Sequence, residues 1–395
     1  MTQTKVTSDL ITSVDASKLT GSLPASMNEI TKQGSDPTIS TNPSGGVGSI
    51  ILNTSSGEMF VCSDSTAGAN VWKNTGDGTG AIQPNSFYSA TGGTTGTYTD
   101  NSISYKFHTF TSSSNLVISS IGAGTGVDMD ILVIAGAGGG GAGNHGVSNG
   151  AGGGAGGLRW FTAQNPTAST YTVTVGAGGS AGTNADGGMG VDSSFVGSGI
   201  SITGSGGAGG NKGGSVTPRS GGSGAGATKI GSSGAVNGGA GNAGGYTPVE
   251  GYAGGSCSHQ SGGAGGGGSG GVGGNEANNG NGFGGPGEDN FLNQSSTAFT
   301  VASTKLLLDA VSLGEVDSSS RHIAAGGGGG WSDGSQTTQV GGIGGGGNGG
   351  NLSNGTVATA SLVNTGSAGG GGYHTSGQTG SAGSSGVVVV RYRAS

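Results

Sequence analysis

Residues 130–143 read DILVIAGAGGGGAG, and residues 150–160 read GAGGGAGGLRW. The first stretch opens as a strand. Ile131 to Ala135 is a short, continuous apolar run of the length and composition expected for a strand buried on both faces. It passes directly into glycine, where no helix can start, because glycine is a poor helix former with a large ordering cost. Working outward, the same alternation of strand and glycine fills the rest of the chain. Tyr105–Phe110, Leu116–Ile118, Tyr171–Val175, Ile200–Thr203 and Val387–Tyr392 read as strands, the last as the strongest. Between them lie glycine runs such as 136–143, 150–157, 204–214, 262–274, 326–330, 341–350 and 366–372. The expected fold is therefore mainly β. The strands are expected to form a β-sandwich or sheet whose first and last strands lie close together, with the glycine runs inserted between strands.

Glycine supplies 99 of the 395 residues, while aromatic residues make up 5% and charged residues 8%. An ordinary aliphatic core cannot run the length of such a chain. Only 13 glycines fall in residues 1–120 and the other 86 in 121–395, which places a composition boundary near 100–125. Proline is scarce and charge sparse, unlike typical disordered chains. Collagen is excluded, since no strict three-residue repeat of glycine exists. The alternatives are a silk-like flexible polymer and a bundle of glycine helices of the polyproline-II type (polyglycine II). The second has the better physical basis. Such a helix has three residues per turn and no internal hydrogen bonds, so its N–H and C=O groups must find partners on neighbouring helices. Glycine permits that approach because it has no Cβ. An eight-residue run would span about 25 Å.

The remaining segments divide the chain. Residues 1–44 are polar, with turn and cap residues and no long periodicity, and read as an attachment or assembly segment of short helical or extended pieces. Residues 45–76 read as a small β module, with Ile50–Leu52, Met59–Cys62 and Val71-Trp72 as strands. It is too small to be stable without partners, so oligomerisation is its expected support. Residues 77–104 read as a linker and 105–395 as the glycine-rich domain. Thr304–Leu313, stopped by Gly314, is the expected helix and fills a local core.

Several function classes drop out. The net charge is −7, with 13 Lys and Arg and no basic run, so nucleic acid is not an expected partner. The first residues, MTQTKVTSDLITSV, lack the basic and apolar regions of a secretory signal. No apolar run approaches the roughly 20 residues that span a bilayer, so no membrane insertion is expected. Cys62 and Cys257 make neither a disulfide framework nor a zinc site. The five histidines have no metal-ligand spacing, and neither metal nor cofactor is expected. Gly136–Gly141 matches the glycine pattern of a dinucleotide-binding turn, but no helix follows it and Arg159 stands where an acidic residue is needed. Gly187–Asp192 resembles a calcium-binding Gly/Asp turn but occurs once, whereas such sites need tandem turns. Glu288/Asp289 and Glu315/Asp317 are the nearest carboxylate pairs for glycoside hydrolysis, without a cleft signature. No enzyme is expected.

The unusual residues sit between glycine runs. A rigid scaffold with aromatic, amide and charged loops has the character of a recognition surface. The candidate binding residues are His145, Arg219, Tyr246, Tyr252, His259, Phe291, Trp331, Tyr373 and His374, of types that suit glycan recognition.

The order DILVIAGAGGGG, GAGGLRW, YTVTVGAGG, SSFVG, ITGSGGAGG, AAGGGGG and SGVVVVRY resembles the glycine-rich domain of bacteriophage tail fibres, especially those of marine cyanophages. The likeness covers about 105–395. VDASKLTGSLPA and ILNTSSGEMFVCSD also look like phage fibre modules, and the glycine slab is similar in principle to the polyglycine bundles of T-even-type phage adhesins. The resemblance implies a homotrimeric fibre on the virion, assembled in the host cytoplasm. It implies attachment to a host cell-surface receptor, and contact with other tail proteins through the N-terminal segment. A structural virion fibre or connector is the alternative. No long coiled coil or repeat shaft is present, so a short fibre or distal tip is expected.

Overall fold

A computed structural model of the chain describes residues 30–75, 81–82, 86–123, 127–231, 234–277, 281–291, 300–332, 338–375 and 378–394. It divides into two units, Met1–Asn85 and Ser86–Ser395. The expected helical or extended pieces within residues 1–29 lie outside the described residues.

The first unit is one sheet with its strands in chain order: β1 (Ile30–Gln33), β2 (Ile50–Asn53), β3 (Met59–Asp64), β4 (Val71–Asn74) and β5 (Ala81–Ile82). β1 and β2 run parallel, and the other pairs are antiparallel. Period-two alternation puts Ile51, Phe60, Cys62 and Trp72 on one buried face. The loop before β2 covers that face, since the Trp72 indole donates to the Thr41 carbonyl and the Asn70 amide to that of Ile39.

The second unit continues with β6 (Ser89–Thr91), β7 (Thr94–Asp100), β8 (Ile103–Phe110), β9 (Ser114–Ser120), β10 (Met129–Ile134), β11 (Leu158–Gln164), β12 (Thr170–Thr174), β13 (Ser193–Gly197) and β14 (Ile200–Gly204). After these come α1 (Val301–Ala310), β15 (Glu315–Asp317), β16 (Ser320–His322) and β17 (Val387–Arg393). Two five-stranded antiparallel sheets form, in the orders β11-β10-β17-β8-β7 and β14-β13-β12-β9-β6. β17 lies between β8 and β10, with Val388 opposite Phe110 and Val390 opposite Ile131, so the last strand closes beside an early one as the sequence implies.

The two sheets face each other in a sandwich-like arrangement. Met129, Ile131 and Val133 of β10 and Val388, Val390 and Tyr392 of β17 meet Leu116, Tyr171, Val173, Phe195 and Ile202 of the other sheet. The alternate residues Leu132, Ile134, Val387 and Val389 face the opposite way, onto Leu307 and Leu308 of α1 and onto Phe291 and Leu313. Burial on both faces explains why these two strands are continuously apolar. α1 begins earlier than the Thr304 expected from sequence, because the Thr300 hydroxyl accepts from the Ser303 N–H and caps the first turn. It also ends earlier, in a turn with Ser312 at φ +56° and Gly314 at φ +78°.

Part of the stretch read as a linker is corrected: residues 89–91 and 94–100 form β6 and β7, edge strands of the two sheets. Threonine and tyrosine favour a pleated, half-buried surface even where glycine punctuates them. β11 and β13 were also missed as strands, each emerging from or running into glycine.

The glycine segments are neither helix nor strand by hydrogen-bond pattern, yet their backbones are extensively paired. In 136–143 the acceptor changes at each residue and returns every third. Gly136, Gly139 and Ala142 donate to Val191, Gly188 and Ala185; Ala137, Gly140 and Gly143 to Ser384, Ser381 and Gln378; Gly138 and Gly141 to Gly154 and Ala151. The carbonyls follow the same rotation: Gly136, Gly139 and Ala142 accept from Gly207, Gly210 and Gly213, and Gly138 and Gly141 from Gly369 and Gly372. Segment 150–157 repeats it, donating in turn to segments at 366–372, 205–211 and 264–267. It is buried throughout. Added methyl groups at Gly140 and Gly152 would collide with the carbonyls of Gly370 and Gly327. Backbone-to-backbone bonding at van der Waals distance does here what aliphatic side chains do between the sheets.

Candidate functional site

Each glycine segment that leaves a strand carries the chain away from the sheets. β10 runs into 135–143 and β11 receives 150–157, so the intervening turn at 144–149 stands at the far end. Other connections meet it there. Asn149, fully buried, donates through Nδ2 to the Ser332 hydroxyl at 2.9 Å and accepts from the His374 N–H at 2.9 Å. Ser148 donates to the Gln260 carbonyl and Ser332 to that of Ser261. Lys212 donates through Nζ to Asn184 Oδ1 at 2.8 Å and through its backbone N–H to Asp186. Loops distant in sequence thus form one surface whose backbone is fixed by glycine.

Three of the candidate residues lie at this surface. His145 is exposed. His374 is half-buried, and burial, then the neighbouring His145, push its imidazole below the ordinary 6.5. His259 is half-buried; its Nδ1 accepts from the Ser261 N–H, and its carbonyl accepts from the Cys257 thiol. Burial drives that thiol up to about 11, so Cys257 is an inert packing residue.

Of the other candidates, Trp331, Tyr373, Phe291 and Arg219 serve the interior, and Tyr246 and Tyr252 lie elsewhere in the layer. Trp331 and Tyr373 are buried at 0% and 7% exposure. They terminate glycine segments and fill the space between them, Trp331 bridging Gly262 and Asn351. Phe291, also at 0%, packs on Trp160 under the sheet, far from the end loops in fold and in role. Arg219 donates through Nη2 to the carbonyls of Gly209 (3.1 Å) and Gly187, a scaffold role. Tyr246 lies at the strand end of the layer, with the Arg159 guanidinium 3.6 Å from its ring centre. Tyr252 is half-buried, and its backbone is bonded within the layer, to Gly268 and Gly224. Aromatic and cationic types were read as surface chemistry. In a scaffold without aliphatic side chains they are also the material that plugs its gaps.

The Gly187–Asp192 turn has a structural use as well. Asp192, Met189 and Asp186 accept, through their side chains, from the N–H groups of Gly206 (2.7 Å), Gly209 (3.3 Å) and Lys212 (2.6 Å). Donors and acceptors each recur every third residue. The side chains take the place of a further segment and close that edge of the layer. Among the described residues no group of three or more His, Cys, Asp or Glu could hold a metal ion. Glu315, of one carboxylate pair, accepts from the N–H groups of Gly344 and Gly345. No helix among the described residues is long and apolar enough to cross a membrane.

Sequence reasoning missed a cavity of about 250 Å³ at the far end, lined by Asn144, His145, Thr183, Asn184, Gln378 and Thr379 among others. The available signal was compositional: short clusters of amides and hydroxyls, TNAD at 183–186 and Gln378-Thr379, interrupting glycine.

A family model described as a glycine-rich domain matches residues 111–393. None of the curated proteins matches the chain.

Proposed function

From the premise that the chain belongs to the glycine-rich domain family, over residues 111–393, we propose that it is a bacteriophage tail-fibre subunit that attaches the virion to a host cell-surface receptor. On this reading the receptor is a glycan or an outer-membrane component, and no catalysis is involved. The glycine segments are a polyglycine-II bundle. Support for that comes from the three-residue rotation of hydrogen-bond partners, which matches three residues per turn, and from the absence of room for a Cβ at Gly140 and Gly152. A bundle of this kind is a stiff carrier, and what it carries is the surface around Asn149, where connections from distant parts of the chain converge. That convergence is the observation on which the reading rests.

The fibre resemblance adds two further parts: a homotrimer, and an N-terminal segment that joins the subunit to other tail proteins. The protein would then be a virion component. One observation favours the alternative, a structural fibre without a receptor. Burial of Phe291, Trp331 and Tyr373 removes the large aromatics that most binding surfaces use as anchors. Competition decides between them. Purified full-length chain should block phage adsorption to host cells, and replacing His145 and His374 by alanine should weaken the block. Unchanged adsorption at saturating protein sinks the receptor reading and leaves the structural one.

A further inference from the structure

The far-end cavity differs from its surroundings in one respect. Around it, polar side chains are used up inside the protein: Ser148, Asn149 and Ser332 all bond to neighbouring loops. The side chains of Asn144, Thr183, Gln378 and Thr379 line the cavity and bond to no described residue. Asn184 is half committed: Lys212 holds its Oδ1 at 2.8 Å, which leaves its NH₂ group to donate. A hydroxyl or an amide both donates and accepts, so these groups together offer donors and acceptors in mixed order. Among the described residues no Asp, Glu, Lys or Arg lines the cavity, and His145 is the one titratable wall residue.

The walls are held before any ligand arrives. Gly143 donates to the Gln378 carbonyl, Ala142 to that of Ala185, and Gly380 to that of Gly182, so the three wall segments are cross-linked through their backbones. Preorganised walls lose little entropy on binding.

We propose that this cavity binds one residue of a neutral, hydroxyl-rich saccharide. The inference rests on the receptor-binding reading and gives it a site and a ligand class. Vicinal hydroxyls of a sugar donate and accept in alternation, which the amides and threonines match. A carboxylated or phosphorylated ligand would find no Lys or Arg in the wall, the Lys212 ammonium being engaged with Asn184 Oδ1, and an apolar one would leave at least four polar groups unpaired. With no aromatic platform the affinity of a single sugar is low, and repetition along a glycan or across copies of the chain would supply avidity.

The test is saturation-transfer NMR of the full chain at millimolar glucose, galactose, mannose or N-acetylglucosamine, with N-acetylneuraminate as the acidic comparison. At least one neutral sugar should receive saturation from the protein. Gln378→Ala and Thr183→Val should each weaken that binding about tenfold, the cost of one lost hydrogen bond in a site of this kind. Gln378→Glu, which keeps the side-chain volume, should weaken it as well, and Val363→Ala should leave it unchanged. Thermal melting checks that each variant is folded. Absence of transfer to every neutral sugar, preference for the acidic one, or full binding by folded Gln378→Ala and Gln378→Glu overturns the proposal. Adsorption separates the two claims. A chain that adsorbs to host cells but binds no sugar refutes the cavity and keeps the receptor reading. A chain that binds sugar in the cavity but does not adsorb refutes the receptor reading and keeps the cavity.

Discussion

At Gly140 the backbone carbonyl of Gly370 occupies the space a methyl group would need, and neither segment can retreat because each is packed on its other sides. Gly140→Ala should therefore cost about 1–3 kcal/mol, the usual range for forcing an extra methyl into a full interior. Gly234→Ala, where nothing lies within 4 Å, should be neutral or slightly stabilising. Thermal unfolding of the two variants checks the contrast; equal melting temperatures would mean the layer is looser than its hydrogen bonds imply. His108 poses a different single-residue question. Its Nδ1 lies 2.7 Å from the Gly92 carbonyl and its Nε2 3.0 Å from the Tyr392 hydroxyl, which suits a neutral ring that donates to the first and accepts from the second. Burial is the main cause that holds its imidazole below the ordinary 6.5. Since the folded state binds the proton less well than the unfolded chain, stability is fully present above 6.5 and is lost as pH falls toward the depressed value. Denaturation midpoints measured downward through that window should fall more steeply for the wild type than for His108→Gln.

The strands and segments have two different ways of meeting their neighbours. Inside the main sheet the Arg391 guanidinium crosses several strands: it bonds to Asp130 of β10 at 2.7–2.8 Å, donates to the Tyr98 hydroxyl of β7 and stacks 4.4 Å from the Tyr105 ring of β8. A charge that is buried, paired and hydrogen-bonded in this way ties strands together at a site where apolar packing stops. At the edge of the glycine layer the problem is the opposite one, backbone N–H groups with no next segment. Asp186, Met189 and Asp192 solve it at three-residue spacing. Asp192→Ala should expose the Gly206 N–H and speed its hydrogen exchange, while the adjacent Gly207, bonded to the Gly136 carbonyl, exchanges as before. Equal acceleration at both residues would show that the whole edge frays and that no single side chain guards it.

On the scale of the second unit, two kinds of interior are joined through β10, β11 and β17. The side chains of these strands pack as in an ordinary β protein, and the chain beyond each strand end packs by backbone alone. Segment 150–157 is buried and bonded on every side, so its amides should exchange only when the unit opens as a whole. Exchange followed by mass spectrometry should place them among the slowest, level with β10 and β17. If they exchange as fast as the end loops, the glycine layer is not part of the cooperative core. The layer holds the loops, whose exposed side chains include Val147 beside His145.

The strands Ile131–Ala135 and Val387–Tyr392 were legible in the sequence as apolar runs, and so was the return of the last strand to the first, Tyr105–Phe110; that the last strand also pairs with Met129–Ile134 was decided by the tertiary structure. The glycine runs pointed to backbone packing as the better of two readings, and the structure decided against a flexible polymer by pairing their N–H and C=O groups with one another. β6, β7, β11 and β13 were not legible: β6 and β11 pair across intervening segments, with β9 and β10, and the serine-, threonine- and glycine-rich composition of β7 and β13 hides the hairpins they form with β8 and β14. The candidate residues divide along the same line. His145, His259 and His374 stand where loops meet, while Phe291, Trp331, Tyr373 and Arg219 look identical in sequence and serve the interior. Residue type reports what a side chain can do. Whether it faces solvent or fills a gap between glycine segments is set by how those segments stack, and that stacking is made of backbone bonds that carry no sequence signature beyond glycine itself.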